Sequence, residues 1–74
     1  MKKIINGKTY NTDTAKEVGT STFPDGNGGR TLYRKRTGEY FIATWHHPYH
    51  TYFAIKTVTE DEIDGYIWDK LIRM

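Results

Sequence analysis

Cysteine is absent from the sequence, which removes disulfide bridges and thiolate metal sites together. A secreted chain of this size usually needs such staples, so the absence fits a reducing cytoplasm. Serine occurs once, as Ser21 within Thr20-Ser21-Thr22, with no nucleophile-elbow glycines around it. No apolar run approaches the ~18–20 residues needed to span a bilayer. Met1-Lys2-Lys3 leads into only Ile4-Ile5 before polar residues resume, so no secretory signal is expected. The formal net charge of +2 is too small to announce a nucleic-acid partner. The absences point to a cytoplasmic, non-catalytic chain with no cofactor and no resident metal.

What is present has to stabilise a small core. A chain of 74 residues makes a single domain, residues 1–74. Domains this short bury only about 60–65% of their unfolded surface, and one core yields ~3–5 kcal/mol. Six Tyr, three Phe and two Trp are the compensation, because each buries a large area. Charge is distributed unevenly. Arg30, Arg34, Lys35 and Arg36 cluster mid-chain, and Glu60, Asp61, Glu62 and Asp64 cluster near the last segment.

The patterning predicts an α+β fold. Residues 2–5 and 8–10 flank Asn6-Gly7, a strong two-residue hairpin signal. Residues 12–18 read as a short helix, with Thr12 or Asn11 as cap and Gly19 closing it. Residues 23–29 carry three Gly, one Pro and two Asx residues, and read as a flexible loop. A phosphate loop is excluded there, since Gly29 leads into a β-rich run rather than a helix. Residues 30–36 and 39–45 flank Thr37-Gly38 as a second hairpin. A two-residue turn pairs Tyr33 with Ile42, and a three-residue turn with a bulge at Gly38 pairs Leu32 with Ile42. Both registers stay open. Residues 51–58 form a third β run. Thr59-Glu60-Asp61-Glu62 is a capping box, and Ile63, Ile67 and Leu71 recur every four residues. The expected architecture is therefore an N-terminal hairpin, a short helix and a three-stranded β-meander, the small antiparallel sheet covered by a C-terminal amphipathic helix.

Three constellations could carry function. His46, His47 and His50 surround Pro48 without an acid or thiol among them, which reads as a polar turn rather than a metal site. Arg30, Arg34, Lys35 and Arg36 interleave with Tyr33, Tyr40 and Phe41. That mixture can neutralise phosphates and stack bases, or anchor a protein interface, where Arg and Tyr dominate. Trp45, Tyr49, Tyr52 and Trp68 are either core or an exposed recognition patch.

Two stretches carry a resemblance. Lys2-Lys3-Ile4-Ile5-Asn6-Gly7-Lys8-Thr9-Tyr10-Asn11-Thr12-Asp13-Thr14-Ala15 resembles the opening of a group of small Firmicutes proteins, often found on phages and conjugative elements. Thr31-Leu32-Tyr33 with Gly38-Glu39-Tyr40-Phe41 resembles their hairpin, and the acidic start of the last helix is similar. The likeness covers about half of the chain. Where those proteins carry a Gly-rich stretch after the Tyr-Phe strand, this one has Ala43-Thr44-Trp45-His46-His47-Pro48-Tyr49-His50. The resemblance implies an accessory protein of a mobile element, in the manner of inhibitors of bacterial defence nucleases such as anti-CRISPR proteins. The expected function is a non-catalytic protein-binding module, with Arg30, Tyr33, Arg34, Arg36, Tyr40, Trp45, His47 and Tyr49 as contact residues. The alternative is a small nucleic-acid-binding domain using the same basic–aromatic hairpin.

Overall fold

The computed structural model describes residues 1–47 and 51–72. Strands β1 (Lys2–Ile5) and β2 (Lys8–Asn11) form the expected hairpin. Asn6 and Gly7 take φ values of 50° and 77°, the two positive angles a type I′ turn requires. Strands β3 (Lys16–Thr22), β4 (Gly28–Arg34), β5 (Tyr40–His46) and β6 (Thr51–Val58) then form an antiparallel meander. A single helical turn, α1 (Glu60–Ile63), follows, and β7 (Lys70–Leu71) closes the chain. The sheet order is β6-β5-β4-β3-β7.

The α+β expectation is overturned. Of the described residues 57% are strand and 6% helical, and no helix reaches seven residues. The C-terminal amphipathic helix is the first correction. Its capping box is present: the Thr59 amide donates to Glu62 Oε1 at 3.0 Å, and the Glu62 amide donates to Thr59 Oγ1 at 3.4 Å. The helix stops one turn later. Short helices are marginal without tertiary support, and Gly65, Tyr66, Ile67 and Trp68 are poor helix formers. The decisive competitor is the outer edge of β3, whose backbone groups need partners. The final segment supplies them: the Asp69 amide donates to Thr20 O at 2.9 Å and the Ile72 amide to Val18 O at 2.7 Å. The Asp69 carboxylate accepts the Thr22 amide at 2.8 Å. The indole of Trp68 donates to the Ile63 carbonyl at 3.0 Å, satisfying a helix-end acceptor. The four-residue stripe did not mark one face. Ile63 is 2% exposed and Ile67 is 87% exposed.

The short helix over 12–18 is the second correction. The Asn11 side chain accepts the Asp13 amide at 2.9 Å and its carbonyl accepts the Ala15 amide at 3.1 Å. This gives one turn, after which Lys16 enters β3. Gly19 does not close a helix. It lets β7 approach, since a Cβ there would sit 2.9 Å from Leu71 Cδ1 and 3.3 Å from the Lys70 carbonyl oxygen. The glycine-rich stretch is the turn of the β3–β4 hairpin, with the Phe23 amide donating to Gly28 O at 2.8 Å. That adds a fourth strand to the predicted three-stranded meander.

In the β4–β5 hairpin, Leu32 pairs with Ile42. The three-residue turn is therefore the one adopted, with Gly38 at φ 101° and Lys35 bonded to Glu39 O at 2.8 Å. This register fixes the two faces of the sheet. Tyr33, Phe41, Ala43 and Ile55 meet Tyr10 of the N-terminal hairpin on one face. Val18, Leu32, Ile42 and Val58 meet Ile63 on the other, where Tyr66, Trp68 and Leu71 also pack. The chain from α1 to β7 thus crosses the second face as a strap.

Candidate functional site

Alternation along β4 puts Arg30, Leu32 and Arg34 on the strap face and Thr31 and Tyr33 on the other. Leu32 lies under the strap, and the two arginines flank it. The Arg34 guanidinium carbon stands 5.4 Å from the centre of the Tyr40 ring. Pairing of β3 with β4 sets Lys16 directly opposite Arg34. Arg36 is exposed in the adjoining turn. Lys16, Arg34, Lys35, Arg36 and Tyr40 line a cleft of about 430 Å³, with Val18 and Ile72 as its apolar wall.

The charge balance here is uneven. Lys35 Nζ lies 4.5 Å above the Tyr10 ring and 3.6 Å from Glu39, and Lys8 reaches the same carboxylate at 3.5 Å. Glu39 is thereby committed. A hydrogen bond from Thr37 and then its own backbone amide hold its carboxyl down to about 2, with Lys35 and Lys8 adding to the effect. No described carboxylate comes within 4.0 Å of Arg34 or Arg36. Beyond Arg34 and Tyr40 lies a second cleft of about 500 Å³, lined by Glu39, Glu60 and Glu62 with Val58 and Thr59. The Thr59 amide and hydroxyl lower the Glu62 carboxyl by hydrogen bonding to it. One end of the sheet therefore offers a basic cleft beside an acidic one, separated by an arginine–tyrosine pair.

The sequence-derived residues divide. Arg34, Arg36 and Tyr40 come together in the basic cleft. Arg30 sits beyond the strap, its guanidinium carbon 4.8 Å from the Phe23 ring centre and 5.3 Å from that of Tyr66. Tyr33 is a core residue, 6% exposed, its hydroxyl 2.6 Å from that of Tyr52. Burial, then that hydrogen bond, pushes its phenol well above its ordinary range. Trp45 is also core, 4% exposed, because Gly29 opposite it leaves room for the indole. A Cβ on Gly29 would lie 2.6 Å from Trp45 Cζ2 and would overlap the Ser21 carbonyl oxygen. His47 is exposed and stands edge-on to Trp45, with ring centres 5.0 Å apart. Tyr49 and His50 lie outside the described residues. Among the described residues no group of three His, Cys, Asp or Glu side chains could hold a metal.

Lys16 is the site residue the sequence does not reveal, because the helix-capping pattern over 12–18 hides the start of β3. Its signal is the cross-strand partnership with Arg34, visible only once β3 is recognised. Like charges directly opposed on adjacent strands are unfavourable by themselves. Planar guanidinium groups bind carboxylate and phosphate in bidentate fashion, and the Tyr40 ring preorganises one of them. No helix among the described residues is long and apolar enough to cross a membrane. Compared with family models, curated proteins and solved structures, the chain matches none.

Proposed function

We propose that the chain is a non-catalytic binding module that docks the Arg34–Arg36–Tyr40 end of its sheet onto an acidic surface of a partner protein. The observation carrying this reading is the pair of arginines without acidic partners among the described residues, one resting on Tyr40, in an open basic cleft. The adjoining acidic cleft favours a protein over a nucleic acid. A phosphate backbone running past Arg34 would meet Glu60 and Glu62, whereas a protein surface can present both signs of charge. Tyr33 and Trp45, the rings best suited to stack bases from this hairpin, are core residues instead.

The resemblance supplies the finer part of the proposal: an accessory protein of a phage or conjugative element, working in the bacterial cytoplasm as an inhibitor of a defence nuclease. Capture from nuclease-treated Firmicutes lysate tests the binding reading. The wild-type chain is expected to retain one protein that the Arg34→Glu/Arg36→Glu variant loses. Sub-micromolar binding to generic DNA or RNA at physiological salt, falling steeply as salt rises and lost in the same variant, would replace this reading with a nucleic-acid-binding domain.

A further inference from the structure

The strap covers only part of its sheet face. Beyond it, Arg30, Thr44 and Ala54 form one row across β4, β5 and β6. Thr44 and Ala54 are small and partly exposed, which leaves a shallow floor. A bulge between Thr44 and Trp45 places Phe53 as an extra residue on β6. Phe53 is 50% exposed and stacks on His46 at 4.1 Å, with 14° between the rings. At the other end of the row, the Arg30 guanidinium carbon lies 4.8 Å from the centre of the Phe23 ring and 5.3 Å from that of the Tyr66 ring. Its cleft of about 390 Å³ is also lined by Pro24, Ile67 and Asp69, with Ile67 almost wholly exposed.

The aromatic contacts fix a guanidinium without using its hydrogen-bonding capacity. No described carboxylate lies within 4.0 Å of Arg30, and Asp69, which lines the same cleft, is tied to the Thr22 amide on β3. An Arg held this way presents five donors in fixed geometry, the arrangement that recognises a carboxylate with little entropy loss. From this we infer that the Arg30 cleft, together with the adjoining Thr44–Ala54 row, is a second docking site, whose occupant is an acidic–aliphatic segment of a partner protein. Its carboxylate pairs with Arg30, and its aliphatic neighbour rests on the Thr44–Ala54 floor against Phe53. A nucleic acid is the poorer occupant. The rings of Phe23 and Tyr66 already face the guanidinium, and Phe53 faces His46, so these faces are engaged within the protein. The site goes beyond the Arg34–Arg36 cleft and stands even if that cleft binds nothing.

The test is an NMR titration of the full isotopically labelled chain, following the Arg30 side-chain Nε–H and the amides of Phe53, Tyr66 and Ile67. The probes are the capped tripeptide acetyl-Leu-Asp-Leu-amide, its Asn counterpart, sodium acetate and an oligothymidylate. The Asp peptide is expected to shift all four signals. The Asn peptide should bind about 10- to 100-fold more weakly, as should the Arg30→Gln variant toward the Asp peptide, from loss of a charge-assisted pair. Acetate should move the Arg30 signal alone and only at far higher concentration. Arg34→Glu should leave the titration unchanged, which separates this site from the basic cleft. No shift at ~10 mM Asp peptide, equal shifts with Asn, or tighter binding of the oligothymidylate would each overturn the proposal.

Discussion

Arg30 and Arg34 stand on the same face of β4, two positions either side of Leu32, and each guanidinium rests on an aromatic ring. Four residue steps along the strand set their Cα atoms ~13 Å apart. The strap packs on Leu32 between them, so one buried leucine divides a run of basic residues into two sites. Both side chains are only half-buried, and neither makes an ion pair to a described residue. Their roles should therefore separate from folding. Arg34→Glu and Arg30→Gln are each expected to change stability by no more than ~1 kcal/mol, the scale of the cation–π contacts removed. Urea unfolding checks this, and a loss of several kcal/mol would make these arginines structural.

Two hairpins were legible in the sequence, because Asn6-Gly7 and Thr37-Gly38 impose backbone angles locally, whereas the β3–β4 hairpin was not, since residues 12–18 carry helix-capping signals and 23–29 read only as a loop. The site was half legible. Arg34, Arg36 and Tyr40 follow from the hairpin, but separating them from Tyr33 and Trp45 needed the register, which hangs on one residue of turn length. The strap was not legible. Ile63, Ile67 and Leu71 have helical spacing, and the capping box starts a helix, yet the unpaired edge of β3 draws the chain into β7. That demand arises from tertiary pairing, and no window of local sequence contains it. Lys16 was lost for the same reason, since its partner Arg34 is a cross-strand neighbour.

The Tyr33–Tyr52 hydroxyl pair should show in alkaline unfolding. The Tyr33 phenol is raised above its ordinary value of 10.0, first by burial and then by the bond to Tyr52. Below pH 10 both folded and unfolded states keep the proton, so the contribution is fully present. Above it the unfolded state ionises first and stability falls. Tyr33→Phe is expected to flatten this alkaline limb and to cost ~0.5–1.5 kcal/mol at neutral pH through the lost hydrogen bond. Chemical denaturation at a series of pH values measures both.

Glu39 gives the opposite sign. Its carboxyl is held near 2 against an ordinary 4.5, mainly by Thr37 and its own backbone amide. A depressed carboxyl contributes stability above the unfolded value and loses it as pH falls from about 4.5 toward 2. Glu39→Gln should lower stability slightly at neutral pH and make the acid limb shallower over that window. An unchanged acid limb would show that the Thr37 and lysine contacts are not maintained in solution.

Gly29 is where the backbone tolerates no side chain. A Cβ there overlaps the Ser21 carbonyl oxygen and meets the Trp45 indole at 2.6 Å and 3.0 Å. Relief would require β3 and β4 to separate or the indole to leave the core. Gly29→Ala is expected to destabilise by ~3 kcal/mol or more, beyond the usual cost of overpacking, because one contact is with backbone. Trp45 fluorescence should move to longer wavelength as its ring becomes hydrated. A variant with unchanged fluorescence and melting would contradict the packing of Trp45 across Gly29.

The sharpest test of the fold is a comparison between Ile63 and Ile67. An amphipathic C-terminal helix would bury both on one stripe, four residues apart, and truncating either to alanine would open a cavity. The strap buries one and exposes the other, with Ile63 2% and Ile67 87% accessible. Ile63 packs in the cluster with Val18, Leu32, Ile42 and Val58, so Ile63→Ala is expected to cost ~2–5 kcal/mol. Ile67→Ala removes atoms that face water and should stay within ~0.5 kcal/mol of wild type. Both substitutions raise helix propensity, so propensity cannot produce the difference. Paired urea melts decide the matter. Equal, large losses would restore the helix, and the expected asymmetry would fix the chain after Asp64 as an extended strap that delivers Lys70 and Leu71 to the edge of β3.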